Sequence, residues 1–466
     1  MHSNLSNNFG NQNLKPYILF LDWFGKVVIE TTENAKKIPK QFSYPPFGKG
    51  GNYLSEFSLV IKNARINDIT ISDIGINNGK IENIGKLKNG ETNIDANKHY
   101  VISGFVNSHC HLDKSNLLDK MTEDHLGKTL EENRLLLKKL KSSYSESDIK
   151  KRATDTIERM LSKGITAIRT QVDVDPTAEL VPIKSLLKLR EKYKNRVYIE
   201  IAAFPQEGVI DEAKRDLMEK AMELGADVVG GLPLVEAKGN EKRHLEILFE
   251  LAKQYNKNLD IQVDETNDPR MAILPEVIKK TKEENFNDRV TVTHAIALSR
   301  LPTEKAKEII EQMKALKINV IVTPSANMIT RFAEVSDLWI RPSNSITRVT
   351  ELYDNGINVA LGTDNVRDIF YPFGNCSMIR ELHMLISATR MTTREYIDAA
   401  LAMATTNGAK LLGLNYGIAK GRQADIIITG GMSKLDILNS DETIPCVIKN
   451  GNILSLDKNR LERRSN

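Results

Sequence analysis

The sequence predicts an α/β protein: a TIM-like (β/α)₈ barrel with a small β-sandwich built from both chain ends. Three observations carry that expectation. Eight apolar, strand-like runs alternate with helical patterns through the middle of the chain. Clusters of short strands with the same texture stand on either side of that alternation. Polar and ionisable residues gather where the apolar runs stop, which in such a barrel is the face that carries chemistry.

Taken in order, residues 1–14 are rich in Asn and Ser and read as disordered. Residues 17–24 and 26–31 read as two short strands around Gly25-Lys26, and the breaker-dense stretch from Tyr44 to Gly51 reads as a linker. The extension 1–56 has no functional reading. From Phe57 the texture changes to strands at 58–64, 69–76 and, after the Asn78-Gly79 turn, 80–84. The same texture returns at 424–429, 446–449 and 452–455, with Asn450-Gly451 as another hairpin turn. Segments 57–100 and 413–458 are therefore expected to form one β-sandwich beside a barrel over 101–412, with 459–466 as a tail.

Barrel strands are expected at 101–107, 165–171, 197–203, 227–231, 259–263, 290–294, 318–322 and 357–362. Helical patterns fill the gaps, for example 148–162, 212–224, 241–255, 303–316 and 348–355. A doubly wound open sheet is the alternative, but no Gly-x-Gly-x-x-Gly follows any strand.

Bulk properties narrow the function classes. The 466 residues are 41% hydrophobic and 27% charged, as in a soluble globular protein with ample core. A net charge of +4, with no basic stripe interleaved with aromatics, argues against a nucleic-acid partner. No apolar run approaches the ~20 residues of a membrane helix. Three scattered cysteines, Cys110, Cys376 and Cys446, fit a reduced compartment, so the expectation is a cytoplasmic protein.

The strand ends are the informative positions. The first delivers His109-Cys110-His111-Leu112-Asp113; strand alternation puts both imidazoles on one face and Cys110 on the other. Two imidazoles so placed are half of a metal site. The second strand ends at Arg169-Thr170-Gln171-Val172-Asp173, the third runs into Phe204-Pro205-Gln206-Glu207-Gly208, and the fifth into Gln262-Val263-Asp264-Glu265. The sixth ends at Thr293-His294 and the eighth at Gly362-Thr363-Asp364-Asn365. Three of the chain's eight histidines thus face one barrel mouth.

These motifs, with Asp364-Asn365 followed by Tyr371-Pro372-x-Gly374, make residues 58–455 resemble the amidohydrolase superfamily. The likeness is strongest to its subgroup of cytosine deaminases and N-isopropylammelide isopropylaminohydrolases. The resemblance implies hydrolysis of a C–N bond, releasing ammonia or an amine from a small heteroaromatic ring by a metal-activated hydroxide. One divalent metal is implied, Zn²⁺ or Fe²⁺, since the fourth strand lacks the lysine that binuclear relatives carbamylate. His109, His111 and Asp364 match metal ligands, and Asp364 also accepts the water proton. Glu265 matches the acid that protonates the ring nitrogen and relays the proton to the leaving amine. His294 matches the imidazole that orients the hydroxide. Gln206 matches the carboxamide that reads the ring edge, with Asn365 and Phe370 on the substrate side. Lys114 suits the isopropylaminohydrolase branch, where a cation faces an oxygen-rich ring. A homo-oligomer is implied only by the resemblance.

The pattern departs from the family at Gln262, where a third histidine ligand is expected, and at Gln171. Two readings follow: Gln262 acts as a variant ligand or stands beside a completing water, or the chain is an impaired scaffold that has lost metal. The zinc nucleoside deaminase pattern, His-x-Glu with Pro-Cys-x-x-Cys, is absent. Among other residues, Asp113, Asp173 and Asp175 read as braces, while His99, His125 and His244 read as surface residues and His383 as surface or packed. His2 falls in the tail. The Lys/Glu runs near 128–152, 212–220 and 278–289 read as solvated helix faces.

Overall fold

Eight parallel strands carry the body of the fold, and the residues on which they end define its functional face. The computed structural model describes residues 18–21, 27–30, 55–329, 346–440 and 442–462. The barrel strands are β1 (Phe105–Cys110), β2 (Ile165–Asp173), β3 (Tyr198–Phe204), β4 (Val228–Gly231), β5 (Asn258–Val263), β6 (Val290–His294), β7 (Asn319–Val322) and β8 (Val359–Leu361). Each pairs in parallel with the next in sequence order. The barrel closes where the Asp364 N–H donates to the His109 carbonyl at 2.8 Å and Cys110 bridges to Asp364. Only glycine fits at position 362, because a Cβ there would stand 2.7–2.8 Å from the backbone of His109.

The helices form for ordinary reasons and bury one stripe each. In Glu146–Ser162, Ser145 accepts a hydrogen bond from the Asp148 N–H at the N-terminus, while Ile149, Ala153, Ile157 and Met160 recur at helical spacing and enter the main core. Within the barrel, Arg169 of β2 is buried with Glu200 of β3 at 2.5 Å and Asp260 of β5 at 3.0 Å, and Thr293 of β6 donates to Asp260. This paired layer closes the barrel interior by charge and hydrogen bonding as well as by packing.

The first strand corrects the expectation for 101–107. Val101–Ser103 leaves the barrel and pairs antiparallel with Ile426–Ile428, while Phe105–Cys110 opens the barrel. The break falls at Gly104, where a Cβ would lie 2.2 Å from Thr166 Oγ1. Apolar periodicity cannot separate two strands that share one uninterrupted run.

Two four-stranded sheets flank the barrel. One orders Asn452–Leu456, Cys446–Lys449, Ile426–Ile428 and Val101–Ser103; the other orders Lys80–Gly85, Ile71–Asn77, Leu59–Arg65 and Thr92–Asp95. Their inward residues, including Ile61, Ile74, Ile76, Ile94, Ile426, Ile428 and Ile448, form one core drawn from both chain ends. Thr92–Asp95 was not expected: it carries one apolar residue, and parallel pairing with Leu59–Arg65 makes it a strand. By itself, the N-terminal unit contains an antiparallel hairpin of Ile18–Leu21 with Val27–Glu30. The readings for 1–14, the linker at 44–51 and His2 lie outside the described residues. No helix among the described residues is long and apolar enough to cross a membrane.

Candidate active site

His109 lies inside β1 and His111 one residue beyond it, and both are buried. Their Nε2 atoms converge on Oδ1 of Asp364, at 3.5 and 3.2 Å. Asp364 arrives just past β8 with φ of 57°; Asp264 (53°) and His294 (75°) at the ends of β5 and β6 are left-handed as well. Sparsely populated backbone at three such positions is held by the surrounding fold and is characteristic of functional sites. Cys110 points the other way, its Sγ 3.6 Å from the Arg169 carbonyl.

The electrostatics favour metal binding. Burial, then the charge of Lys114, pushes His111 down to about 3, so the imidazole is neutral. Burial would raise Asp364, but hydrogen bonds from His109 and His111 outweigh it and hold the carboxyl well below its usual range. A neutral His111 imidazole and an ionised Asp364 carboxylate are protonation states that a divalent cation requires. His109, His111 and Asp364 offer ligand atoms within 4.8 Å of one another, and so do Glu265, His294 and Asp364. Among the described residues, His294 Nε2 and the Nδ1 atoms of His109 and His111 are buried without a hydrogen-bond partner. The residues present therefore fit a metal ion. Gln262 stands beside this set, its Nε2 3.4 Å from His109 Nε2.

A cavity of about 310 Å³ opens from the cluster, lined by His111, Lys114, Gln206, Gln262, Glu265 and Asp364, with Asn365 and Phe370 on one wall. Every sequence-predicted substrate residue lines it, but three of them, Lys114, Gln206 and Asn365, already have partners. Lys114 Nζ donates to Asp173 Oδ1 at 2.7 Å and to Gln206 Oε1 at 2.8 Å. Asn365 Nδ2 donates to Asp368 at 2.7 Å, which leaves its amide oxygen and its second N–H to offer a ligand. An outer cavity of about 900 Å³ continues past Phe370, Phe373 and His125.

Four residues here were not singled out from sequence. His294 Nδ1 faces Thr323 Oγ1 at 3.2 Å and Asn327 Nδ2 at 3.0 Å. Thr323 directly follows β7 and Asn327 ends the short helix after it; β7 is a strand end at which no site residue was expected, and that position was the available signal. Arg134 and Leu130 come from Leu130–Lys141, the helix in the loop after β1, and reach the inner cavity.

That helix and Glu146–Ser162 after it correct the reading of 128–152 as solvated charge. Lys141 is buried between Asp173, at 3.1 Å, and Asp175, and Arg152 is buried against the Asp113 and Ser115 carbonyls. Charge periodicity alone cannot reveal that buried acids await the cations. Asp173 and Asp175 do brace, through these lysines; Asp113 accepts the Asp173 N–H. Two histidines expected at the surface are buried. His244 takes the Leu232 N–H on Nε2 and meets Glu236 at 2.8 Å, and His99 Nδ1 lies 2.9 Å from the Ala96 carbonyl. His125 is half-buried at the outer cavity, and His383 is exposed.

Residues 100–454 match the model of the amidohydrolase family.

The chain belongs to the amidohydrolase family.

Amidohydrolases are metal-dependent, and the cluster at this barrel mouth agrees with that dependence. The amidohydrolase chain is 28% identical to N-isopropylammelide isopropyl amidohydrolase from Pseudomonas sp. (strain ADP), over 86% of its own length and 98% of the relative's. It is 24% identical to pterin deaminase from Rhizobium rhizogenes, covering 75% and 79%. The structure of 5-methylcytosine deaminase from Klebsiella pneumoniae liganded with phosphonocytosine superimposes with a TM-score of 0.79 at 28% identity, covering 87% and 99%.

Proposed function

We propose that this amidohydrolase removes an exocyclic amine or substituted amine from a small heteroaromatic ring of the pyrimidine, triazine or pterin kind. The observation that supports this most is that Asp364 belongs to two close groups, one with His109 and His111 and one with Glu265 and His294, while Glu265, His111 and Asp364 line the adjoining cavity. In this reading His109, His111 and Asp364 hold one Zn²⁺ or Fe²⁺, with Gln262 alongside. When bound, the ion supplies the Lewis acidity that makes water nucleophilic near neutral pH.

The chain's own groups do the rest. Asp364 takes a proton from the attacking water as its oxygen bonds to the ring carbon. Glu265 protonates the adjacent ring nitrogen, then takes the remaining proton of the adduct's hydroxyl and hands it to the departing amine as the C–N bond breaks and the ring carbonyl forms. His294 orients the attacking water and steadies the charge that develops on the oxygen of the adduct, with Thr323 and Asn327 fixing the imidazole's orientation from behind. Gln206 and Asn365 bind the ring edge, and Phe370 offers its face.

Elemental analysis and an ammonia-release screen test the proposal together. Close to one Zn or Fe per chain is expected, with turnover of at least one among cytosine, isocytosine, creatinine, ammelide and pterins. One observation favours a second reading: the Gln262 amide nitrogen, not its oxygen, faces His109. No bound metal, even after reconstitution, would select that reading, a barrel scaffold that has lost its catalytic ion.

A further inference from the structure

The inner cavity holds a cation for which the described residues supply no hydrogen-bond or ion-pair partner. Arg134 lines the cavity with Lys114, Gln206, Gln262 and Asn365. Lys114 is spoken for, with Asp173 and Gln206 taking two of its three protons. Arg134 differs: among the described residues no group hydrogen-bonds its guanidinium or forms an ion pair with it. Glu265 and Glu131 attract it only from beyond ion-pair distance, and burial pushes its pKa down.

The helix that carries Arg134 is fixed at both ends. Thr129 and Glu132 form a reciprocal cap at its start, and Lys141 is clamped by Asp173 and Asp175 at its finish. Leu137, three residues after Arg134, is buried with Leu117 and Ile369, so the same helix face is held against the barrel mouth. Arg134 thus sits on an anchored face, one turn after Leu130, which lines the same cavity. Five N–H donors in a planar fork, partly desolvated and without an acceptor among the described residues, are stabilised when a ligand supplies one.

We propose that Arg134 is a specificity-determining residue and that the heteroaromatic substrate carries an anionic oxygen substituent, a carboxylate above all, which the guanidinium grips in a two-point contact. This rests on the heterocycle reading of the site and narrows its substrate class. A planar fork matches a carboxylate geometrically, and the low-dielectric cavity strengthens the pairing. The sequence reading assigned the ring-facing cation to Lys114; the pairing pattern gives that role to Arg134.

The test is binding of ring pairs that differ by one carboxylate: uracil against its 5- and 6-carboxylates, and pterin against pterin-6-carboxylate. Binding is followed by calorimetry on zinc-loaded protein. At least one carboxylated ring is expected to bind tenfold or more tightly than its parent. Arg134→Met should erase that gap while leaving the parent ring's affinity within twofold, and Arg134→Lys should restore part of it. Rings that bind with no carboxylate preference, or a preference that survives in Arg134→Met, would overturn the proposal alone. Failure of every ring to bind would overturn the heterocycle reading and this proposal together.

Discussion

Gln262 Nε2 lies 3.4 Å from His109 Nε2, so a carboxamide stands against the imidazole pair that meets Asp364. A carboxamide is a weaker donor to zinc than an imidazole. Replacing it changes the ligand set without touching β1 or β8. Gln262→His is expected to tighten zinc binding by roughly 10–100-fold, the scale on which single groups around a metal act. Competition with a chromogenic chelator reads this directly, and an unchanged affinity would show that position 262 does not reach the ion.

Asp364 and Glu265 should separate under mutation. Asp364→Ala removes the carboxylate on which both histidines converge, so metal and turnover are expected to disappear together. Glu265→Gln keeps the shape of the cavity wall and should retain metal while losing about 10²–10⁴ in kcat, the usual worth of a positioned acid-base group. Metal loss in Glu265→Gln would make that residue a ligand and not the proton carrier.

Asp173 is buried between two ammonium groups, Lys114 at 2.7 Å and Lys141 at 3.1 Å. Asp173→Ala strands both charges, and removing one member of a buried ionic set costs about 3–5 kcal/mol. Urea denaturation should show a loss of that size. The companion variant Asp173→Asn should lose less, because its amide oxygen can still accept from one lysine.

Burial raises Glu381 to about 8 and Asp368 to about 7, against the hydrogen bonds each accepts. Glu381 takes the Ser325 N–H, while Asp368 takes the Phe370 and Tyr371 N–H groups and Asn365 Nδ2. A carboxyl whose folded pKa exceeds its unfolded value of about 4 binds its proton more tightly when folded. The stability it contributes is whole below that unfolded value and is lost as pH rises through the folded one. The urea midpoint should therefore decline between about pH 5 and pH 8. In Glu381→Gln the decline should be smaller and end near pH 7; an identical profile would assign the trend to other groups.

Much of the fold was legible because its signals are local. Eight apolar runs separated by helical periodicity required little beyond strand and helix geometry, and the Asn78-Gly79 and Asn450-Gly451 turns carry the positive φ values that such hairpins need. Thr92–Asp95 was not legible, since its strand character comes from its neighbour. The split at Gly104 was hidden too, because Thr166, 62 positions away, sets the space there.

The candidate site divides along the same line. By itself the sequence determined which residues stand at the barrel mouth: His109, His111, Gln206, Gln262, Glu265, His294, Asp364 and Asn365 all follow from strand ends, since alternation and barrel direction are properties of the backbone. Only the tertiary structure decided how those residues and their neighbours are paired. It spent Lys114 on Asp173, buried Lys141 beneath a helix that reads as solvent-facing, and set Thr323 and Asn327 behind His294. It also brought Arg134 into the cavity without a partner among the described residues. Partnership between charges depends on distance and on exclusion of water, and neither exists along the chain until the barrel closes.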